Sequence, residues 1–168
     1  FNVGGDYYQA FLVWGFGAMF IGAYLKDVVI LTFTTGLFFL YGILVLIEST
    51  IIPYVLIPLV VGLYLVNRYI GYSKTLTFST NMLSVFLFVY IFGMSLDELN
   101  ISFEFLFIIL FVAGIGFLYT PVPEKIKNIF GFQGHVLHAF AGFTLTFGDV
   151  WKIESIAITF SLLYAGFI

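Results

Sequence analysis

The chain alternates long apolar runs with short polar interruptions along its whole length. Charged residues and helix breakers separate seven such runs, at residues 7–25, 28–47, 51–67, 76–96, 101–119, 129–147 and 153–168. Each run is about long enough to cross roughly 30 Å of hydrocarbon at about 1.5 Å per helical residue. The pattern therefore predicts an all-α, polytopic integral membrane protein, with seven transmembrane helices in one domain over residues 1–168.

The charges between the runs predict an orientation. If successive loops lie on alternating sides of a membrane, one side collects five basic residues, and the other side holds Lys152 alone. The five are Lys26, Arg68, Lys74, Lys125 and Lys127. Short loops on the cytoplasmic side carry an excess of Lys and Arg. We therefore expect the N-terminus outside, the C-terminus inside, and a multi-pass protein of the cell (cytoplasmic) membrane.

Composition supports the membrane class and excludes several others. The chain is 62% hydrophobic and 9% charged, with a mean hydropathy of +1.13, whereas soluble domains carry about 25% charged residues. It has no Cys, which excludes disulfides and thiolate metal sites within it. A net charge of −3 provides no basic surface for nucleic acid. Phe1 would be either a processed N-terminus on the outer side or a trimmed start.

Small residues mark the helix faces that can pack closely. Gly15, Ala18 and Gly22 recur on one face of the first run, and the sixth run is the richest in Gly and Ala. Helices in lipid associate through close backbone approach at small residues. We therefore expect the sixth helix to be central in the bundle.

Two histidines, His135 and His138, lie inside the sixth run. Ionisable residues at membrane depth are candidates for function, and residues three apart on a helix are about 60° apart around its axis. The pair predicts a metal or haem ligand set that another subunit could complete. The alternatives are proton or substrate handling, and neutral imidazoles bonded to their neighbours. The chain has two His in all, so we predict no cofactor from this chain alone.

Polar side chains also gather in the inner half of the predicted bundle. They are Tyr24, Asp27, Thr32, Thr34, Thr35, Asn67, Thr80, Asn81 and Gln133. Polar groups in hydrocarbon require partners. We expect either a hydrogen-bonded core or a cavity facing the cytoplasm, with Thr34, Asn81, Gln133 and His138 as its central residues.

The segment GFQGHVLHAFAG (131–142), followed by FGDVWK (147–152), resembles the last two helices of cytochrome oxidase subunit III. That family has seven spans and no redox centre of its own, so the resemblance implies an accessory role. The two motifs lie closer together here than in the family, and the predicted orientation is the opposite one. The resemblance therefore carries no assignment to the family.

Three hypotheses about function follow. The first is a non-catalytic accessory subunit of a larger membrane complex, with a respiratory or other oxidoreductase assembly as the candidate, because no nucleophile, acid–base pair or complete metal site assembles from the sequence. Its partners would be membrane lipids and other membrane subunits. The second is a small transporter or channel with the polar cavity described above. The third is a haem- or metal-binding protein using His135 and His138.

Overall fold

The computed structural model describes residues 7–48, 52–99, 102, 104–147 and 154–167. These residues form seven α-helices and no strand. The helices are α1 (Tyr8–Leu25), α2 (Val28–Glu48), α3 (Leu56–Tyr69), α4 (Lys74–Glu98), α5 (Glu104–Tyr119), α6 (Glu124–Leu145) and α7 (Glu154–Phe167). The all-α prediction is confirmed, and one helix lies on each of the seven apolar runs.

Three of these helices are long and apolar enough to cross a membrane by length and composition: α1, α2 and the part of α4 from Lys74 to Leu96. The apolar segments of α3, α5 and α7 are shorter. Helix α6 has 22 residues, but Gln133, His135 and His138 make it less apolar. The chain thus has the helices of a membrane protein, while the number of seven spans stays a prediction.

The turn between α1 and α2 is built by the two charged residues that separate the first two apolar runs. Lys26 has a φ of 54°, the left-handed conformation common just after a helix. The Asp27 carboxylate accepts hydrogen bonds from the backbone N–H groups of Val29, at 2.7 Å, and Ile30, at 3.1 Å. These bonds cap the start of α2, so two polar residues suffice to reverse the chain.

Two helix starts, those of α3 and α6, differ by five residues from the predicted boundaries. Helix α6 begins at Glu124, so most of the charged segment 121–128 is helix rather than loop. Pro123 precedes the first turn, where no intrahelical N–H donor is needed, and the Glu124 carboxylate interacts favourably with the helix dipole. Helix α3 begins only at Leu56, after Pro53, and Pro58 lies within its first turn, where proline is tolerated.

The helices divide into two compact units, residues 1–91 and 92–168. In the first unit, α1 packs along α2 through a stripe of small residues. A Cβ atom at Gly15 would lie 2.5 Å from the Phe38 ring, and one at Gly22 would lie 2.9 Å from Leu31. The predicted packing of Gly15 and Gly22 is confirmed. Leu63 and other buried residues of α2, α3 and α4 complete this core.

Contacts at the two ends of the first unit show how its helices alternate in direction. At one end, the Lys26 ammonium lies 4.8 Å from the centroid of the Tyr69 ring, at the end of α3. At the other end, the Tyr7 hydroxyl, just before α1, donates a hydrogen bond to the Glu48 carboxylate, at the end of α2. The α1–α2 turn and the end of α3 therefore lie together, opposite the Tyr7–Glu48 pair.

In the second unit, α6 packs against both α5 and α7. Gly114 of α5 faces the backbone of His138, and a Cβ atom there would lie 2.4 Å from the His138 nitrogen. Gly142 of α6 faces Tyr164 of α7, where a Cβ atom would lie 2.6 Å from the ring. The expected central place of the sixth helix holds within this unit. The single domain over residues 1–168 stays a prediction.

The Tyr7–Glu48 pair predicts a response to high pH. The hydrogen bond to Glu48, with smaller contributions from partial desolvation and the carboxylate charge, raises the pKa of Tyr7 above its usual range. The folded protein thus holds this proton more tightly than the unfolded chain does. The stabilisation is complete below about pH 10, the ordinary pKa of tyrosine, and is lost as pH rises through the raised value.

Ultraviolet titration of tyrosine ionisation measures this effect, with Tyr7→Phe identifying the transition of Tyr7. We expect that transition above the ordinary tyrosine range, and at lower pH in Glu48→Ala. Tyr24, an exposed residue of the same unit, provides the control through Tyr24→Phe. An unchanged Tyr7 transition in Glu48→Ala would contradict the assigned cause.

Candidate functional site

His135 and His138 lie three residues apart on α6 but in different environments. Their ring centroids are 5.7 Å apart and their planes are inclined by 59°. His138 is buried, whereas His135 is exposed. The pair therefore spans the edge between the packed face of α6 and its outer face.

Both imidazoles bond to the backbone of their own helix. The Nδ1 atom of His135 lies 2.6 Å from the Gly131 carbonyl oxygen, and that of His138 lies 2.9 Å from the Gly134 carbonyl oxygen. Because a carbonyl can only accept, Nδ1 is the donor in both bonds, and in the neutral form of each ring the proton is on Nδ1. Each Nε2 atom then keeps a lone pair, which is the arrangement that metal-binding histidines use.

Aromatic rings from α5 and α7 surround the buried member of the pair. The Phe111 ring meets His138 edge-on at 6.1 Å and contacts Tyr164 at 5.7 Å. Within the described residues, no group of three His, Cys, Asp or Glu side chains could hold a metal ion. The two imidazoles would supply half of a tetrahedral set, so a metal or haem at His135 and His138 stays a prediction that needs outside ligands.

A second cluster of polar residues lies between α3 and α4 in the first unit. Asn67, which is 2% exposed, donates from Nδ2 to the Thr77 hydroxyl at 2.7 Å, while its Oδ1 accepts from the Ser73 N–H at 2.8 Å. Its backbone carbonyl accepts from the N–H of Tyr72, whose φ is 60°. One asparagine thus closes the turn between the two helices from both its side chain and its backbone.

The same helix pair is joined again near the middle of α3. The Tyr64 hydroxyl donates to Asn81 Oδ1 at 2.5 Å and lies 3.2 Å from the Ser84 oxygen. We call Tyr64, Asn67, Ser73, Thr77, Asn81 and Ser84 the α3–α4 polar network. None of these residues is charged at neutral pH, so the arrangement suits holding two helices in register more than acid–base chemistry.

The four residues of the predicted cavity fall in both units. Thr34 and Asn81 belong to the first unit, and Gln133 and His138 belong to the second. All four are buried. The Thr34 hydroxyl donates to the Ile30 carbonyl of its own helix at 2.9 Å, a common way to satisfy a hydroxyl in a helix. A shared cavity of the four stays a prediction.

Sequence reasoning identified Asn67 and Asn81 but missed Tyr64, Ser73, Thr77 and Ser84. A signal was present, because Thr77, Asn81 and Ser84 recur at i, i+4 and i+7, which places them on one face of α4. Thr80, which was identified, has a buried hydroxyl with no hydrogen-bond partner in the described part of the chain. Tyr24, also identified, is 87% exposed.

No protein-family model, no curated protein and no solved structure matches the chain. The fold and the two polar clusters therefore define the class, an all-helical protein with three candidate membrane-spanning helices.

Proposed function

We propose that the chain is a non-catalytic accessory subunit of a larger membrane complex, embedded through seven spans in the cell membrane. The N-terminus would lie outside and the C-terminus inside. The Lys26 turn and the end of α3 lie together, at the opposite end of the first unit from Glu48. This placement supports the orientation, because basic residues collect on the cytoplasmic side of a membrane. The helices α3 and α5, of 14 and 16 residues, would reach about 21 and 24 Å and would require local thinning of the bilayer.

The observation that carries the accessory role is the outward position of His135. The exposed face of α6 contains Phe132, Val136, Phe140 and Phe143, a surface suited to lipid or to another helix. An imidazole among them is unfavourable against lipid, since ionisable residues in spans face protein or water. A neighbouring subunit that donates a hydrogen bond to the Nε2 lone pair of His135, or that completes a metal site there, removes this penalty.

The hydroxyl groups of the described spans support a structural role as well. Thr32, Thr34, Thr35, Thr144 and Ser161 each donate to a carbonyl four residues earlier in their own helix. Such bonds leave few groups to line a water-filled path. A candidate complex is a respiratory or other oxidoreductase assembly, in which the cofactors would belong to other subunits.

Replacing His135 tests the partner directly. We expect His135→Phe to reduce co-migration with other subunits about three- to eighteenfold on a native gel, since one interhelical hydrogen bond in a membrane is worth about 0.6–1.7 kcal/mol. Thr144→Val is the matched control, because this exposed hydroxyl of α6 bonds only to the Phe140 carbonyl of its own helix. Its co-migration should equal that of the wild type.

The same native gel separates the three hypotheses. Mass spectrometry and an absorption spectrum are measured on the band that contains the chain. Co-migration with cofactor-bearing subunits supports the accessory role. A band of the chain alone with a haem spectrum lost in His138→Ala supports the redox protein. A colourless band of the chain alone contradicts both and directs attention to transport, for which the unpaired hydroxyl of Thr80 is the first residue to replace.

A further inference from the structure

Two adjoining cavities lie on the side of the first unit, between α1 and the start of α3. One, of about 410 Å³, has a polar mouth that includes Tyr8, Gln9, Tyr41 and Tyr54. The other, of about 480 Å³, is lined by apolar side chains such as Phe16 and Leu59. Leu12, Val13 and Val55 line both cavities, so the two form one continuous groove. Each volume is in the range of about 300–1,000 Å³ that small-molecule sites occupy.

The polar part of the groove contains the hydroxyl group of Tyr41. The Tyr41 side chain is 8% exposed and its ring lies 6.0 Å from that of Tyr8. Within the described residues its hydroxyl makes no hydrogen bond, and it is not fully enclosed. The hydroxyl is therefore open to the groove, where it can donate to a ligand that brings an acceptor.

The apolar part of the groove has the dimensions of a hydrocarbon chain. From Leu12 to Met19 it follows about 10 Å of the α1 axis at about 1.5 Å per residue. Its lining offers no polar partner, and tyrosines at the other end are the residues that proteins place at headgroup level. Polar groups at one end and apolar groups along the rest match an amphiphile lying parallel to α1.

The charges near the mouth restrict the headgroup. None of the described residues that line either cavity is charged. Glu48 is the nearby charge: it bonds to Tyr7, whose ring lies 6.4 Å from that of Tyr8. A negative neighbour with no cation in the lining disfavours a headgroup of net negative charge.

We propose that this groove is a binding site for a membrane glycerolipid without net charge. One acyl chain lies along Leu12, Phe16 and Leu59, and an ester carbonyl accepts the hydrogen bond of Tyr41. The site goes beyond the accessory role and rests only on the membrane placement of that proposal.

The experiment uses the full chain in nanodiscs of phosphatidylethanolamine, a fraction of which carries a photoactivatable diazirine in one acyl chain. Peptide mass spectrometry then measures labelling on each helix. We expect the Leu12–Phe16 and Val55–Leu59 segments to be labelled more heavily than the opposite, exposed face of α1 around Ile21. A phosphatidylglycerol probe, which carries net negative charge, should label the groove less.

Two variants test the assignment of the groove. Tyr41→Phe should lower groove labelling about fivefold, since one neutral hydrogen bond is worth about 1 kcal/mol, and Leu12→Trp should abolish it by filling the space. Tyr24→Phe and Ile21→Trp are the matched controls, because these exposed residues do not line the cavities. Circular dichroism confirms that each variant retains its helices.

The outcomes separate this inference from the proposed function. Labelling at Ile21 without enrichment in the groove, or full labelling in both Tyr41→Phe and Leu12→Trp, overturns the lipid site and leaves the membrane placement intact. Absence of labelling on every helix overturns both. Cross-links from the groove to a second polypeptide in the native membrane also overturn it, since a protein segment would then be the occupant.

Discussion

Replacing Gly114 by alanine should unfold the α5–α6 pair at a markedly lower temperature than the wild type. The new methyl group would lie 2.4 Å from the nitrogen and 2.8 Å from the Cα of His138. These are backbone atoms, so no flexible side chain can move aside. The effect should be at the upper end of overpacking, about 3 kcal/mol, and it exceeds the roughly 1 kcal/mol that alanine gains over glycine in a helix.

Gly116 provides a matched control two residues along the same helix. A Cβ atom at Gly116 meets nothing within 4 Å. Gly116→Ala therefore gains the higher helix propensity of alanine without a steric clash. We expect its stability to equal or exceed that of the wild type. Thermal unfolding in mild detergent, followed by circular dichroism, measures both variants. Equal midpoints for the two would contradict the close approach of α5 and α6.

The α5–α6 crossing also positions the histidine pair. A Cβ atom at Gly134 would lie 2.8 Å from the Gly114 carbonyl oxygen, so both glycines are needed at the same crossing. The Gly134 carbonyl is the acceptor for His138 Nδ1. A variant that separates the helices therefore also moves His138 relative to Phe111, and any ligand role of the histidines should weaken with it.

The second large effect is expected from Asn67→Ala at the turn between α3 and α4. The substitution removes the acceptor of the Ser73 N–H and the donor to the Thr77 hydroxyl. The Thr77 hydroxyl, which is completely buried, keeps its own bond to the Ser73 carbonyl. The Ser73 N–H, however, loses its acceptor, and leaving such a group without a partner costs about 1–3 kcal/mol. With two bonds lost, we expect a destabilisation of about 3 kcal/mol, again measured by thermal unfolding in mild detergent.

A control and a double-mutant cycle sharpen this prediction. Ser79→Ala removes only a hydroxyl that donates to the Leu76 carbonyl of its own helix, so its effect should stay within about 0.5 kcal/mol. Thr77→Val should couple to Asn67→Ala by about 0.5 kcal/mol or more, because residues in one hydrogen-bond network are not additive. Strict additivity would show that the network acts through separate contacts.

Gly114→Ala and Asn67→Ala each alter one of the two units. A change in function can therefore be assigned to the unit that carries the substitution. Gly114 lies in the second unit with the histidines, and Asn67 lies in the first unit with the proposed lipid groove. Loss of complex formation in Gly114→Ala alone would agree with a partner on α6. Loss of lipid labelling in Asn67→Ala alone would agree with a groove that depends on the position of α3.

The amino-acid sequence by itself was enough to predict the helices. In hydrocarbon every backbone group must bond within its own segment, so long apolar runs can only be helices and charged pairs such as Lys26-Asp27 can only be turns. The predicted helix boundaries were less accurate where a proline lies next to charged residues, as at Glu124. The first turn of a helix tolerates both residue types, so they do not mark its start. The membrane class followed from composition for the same physical reason.

The faces along which the helices meet came only from the tertiary structure. A soluble helix shows its buried face as an apolar stripe, but here the outer face of α1 is as apolar as its packed face, because lipid and protein interior are alike. Small residues were a partial guide, since Gly15 and Gly114 pack closely while Gly17 and Gly116 face open space. Three features depend on which helices are neighbours: the Asn67 turn, the outward position of His135 and the groove at Tyr41. The hydrophobic pattern does not identify neighbouring helices when the surrounding solvent is itself hydrocarbon.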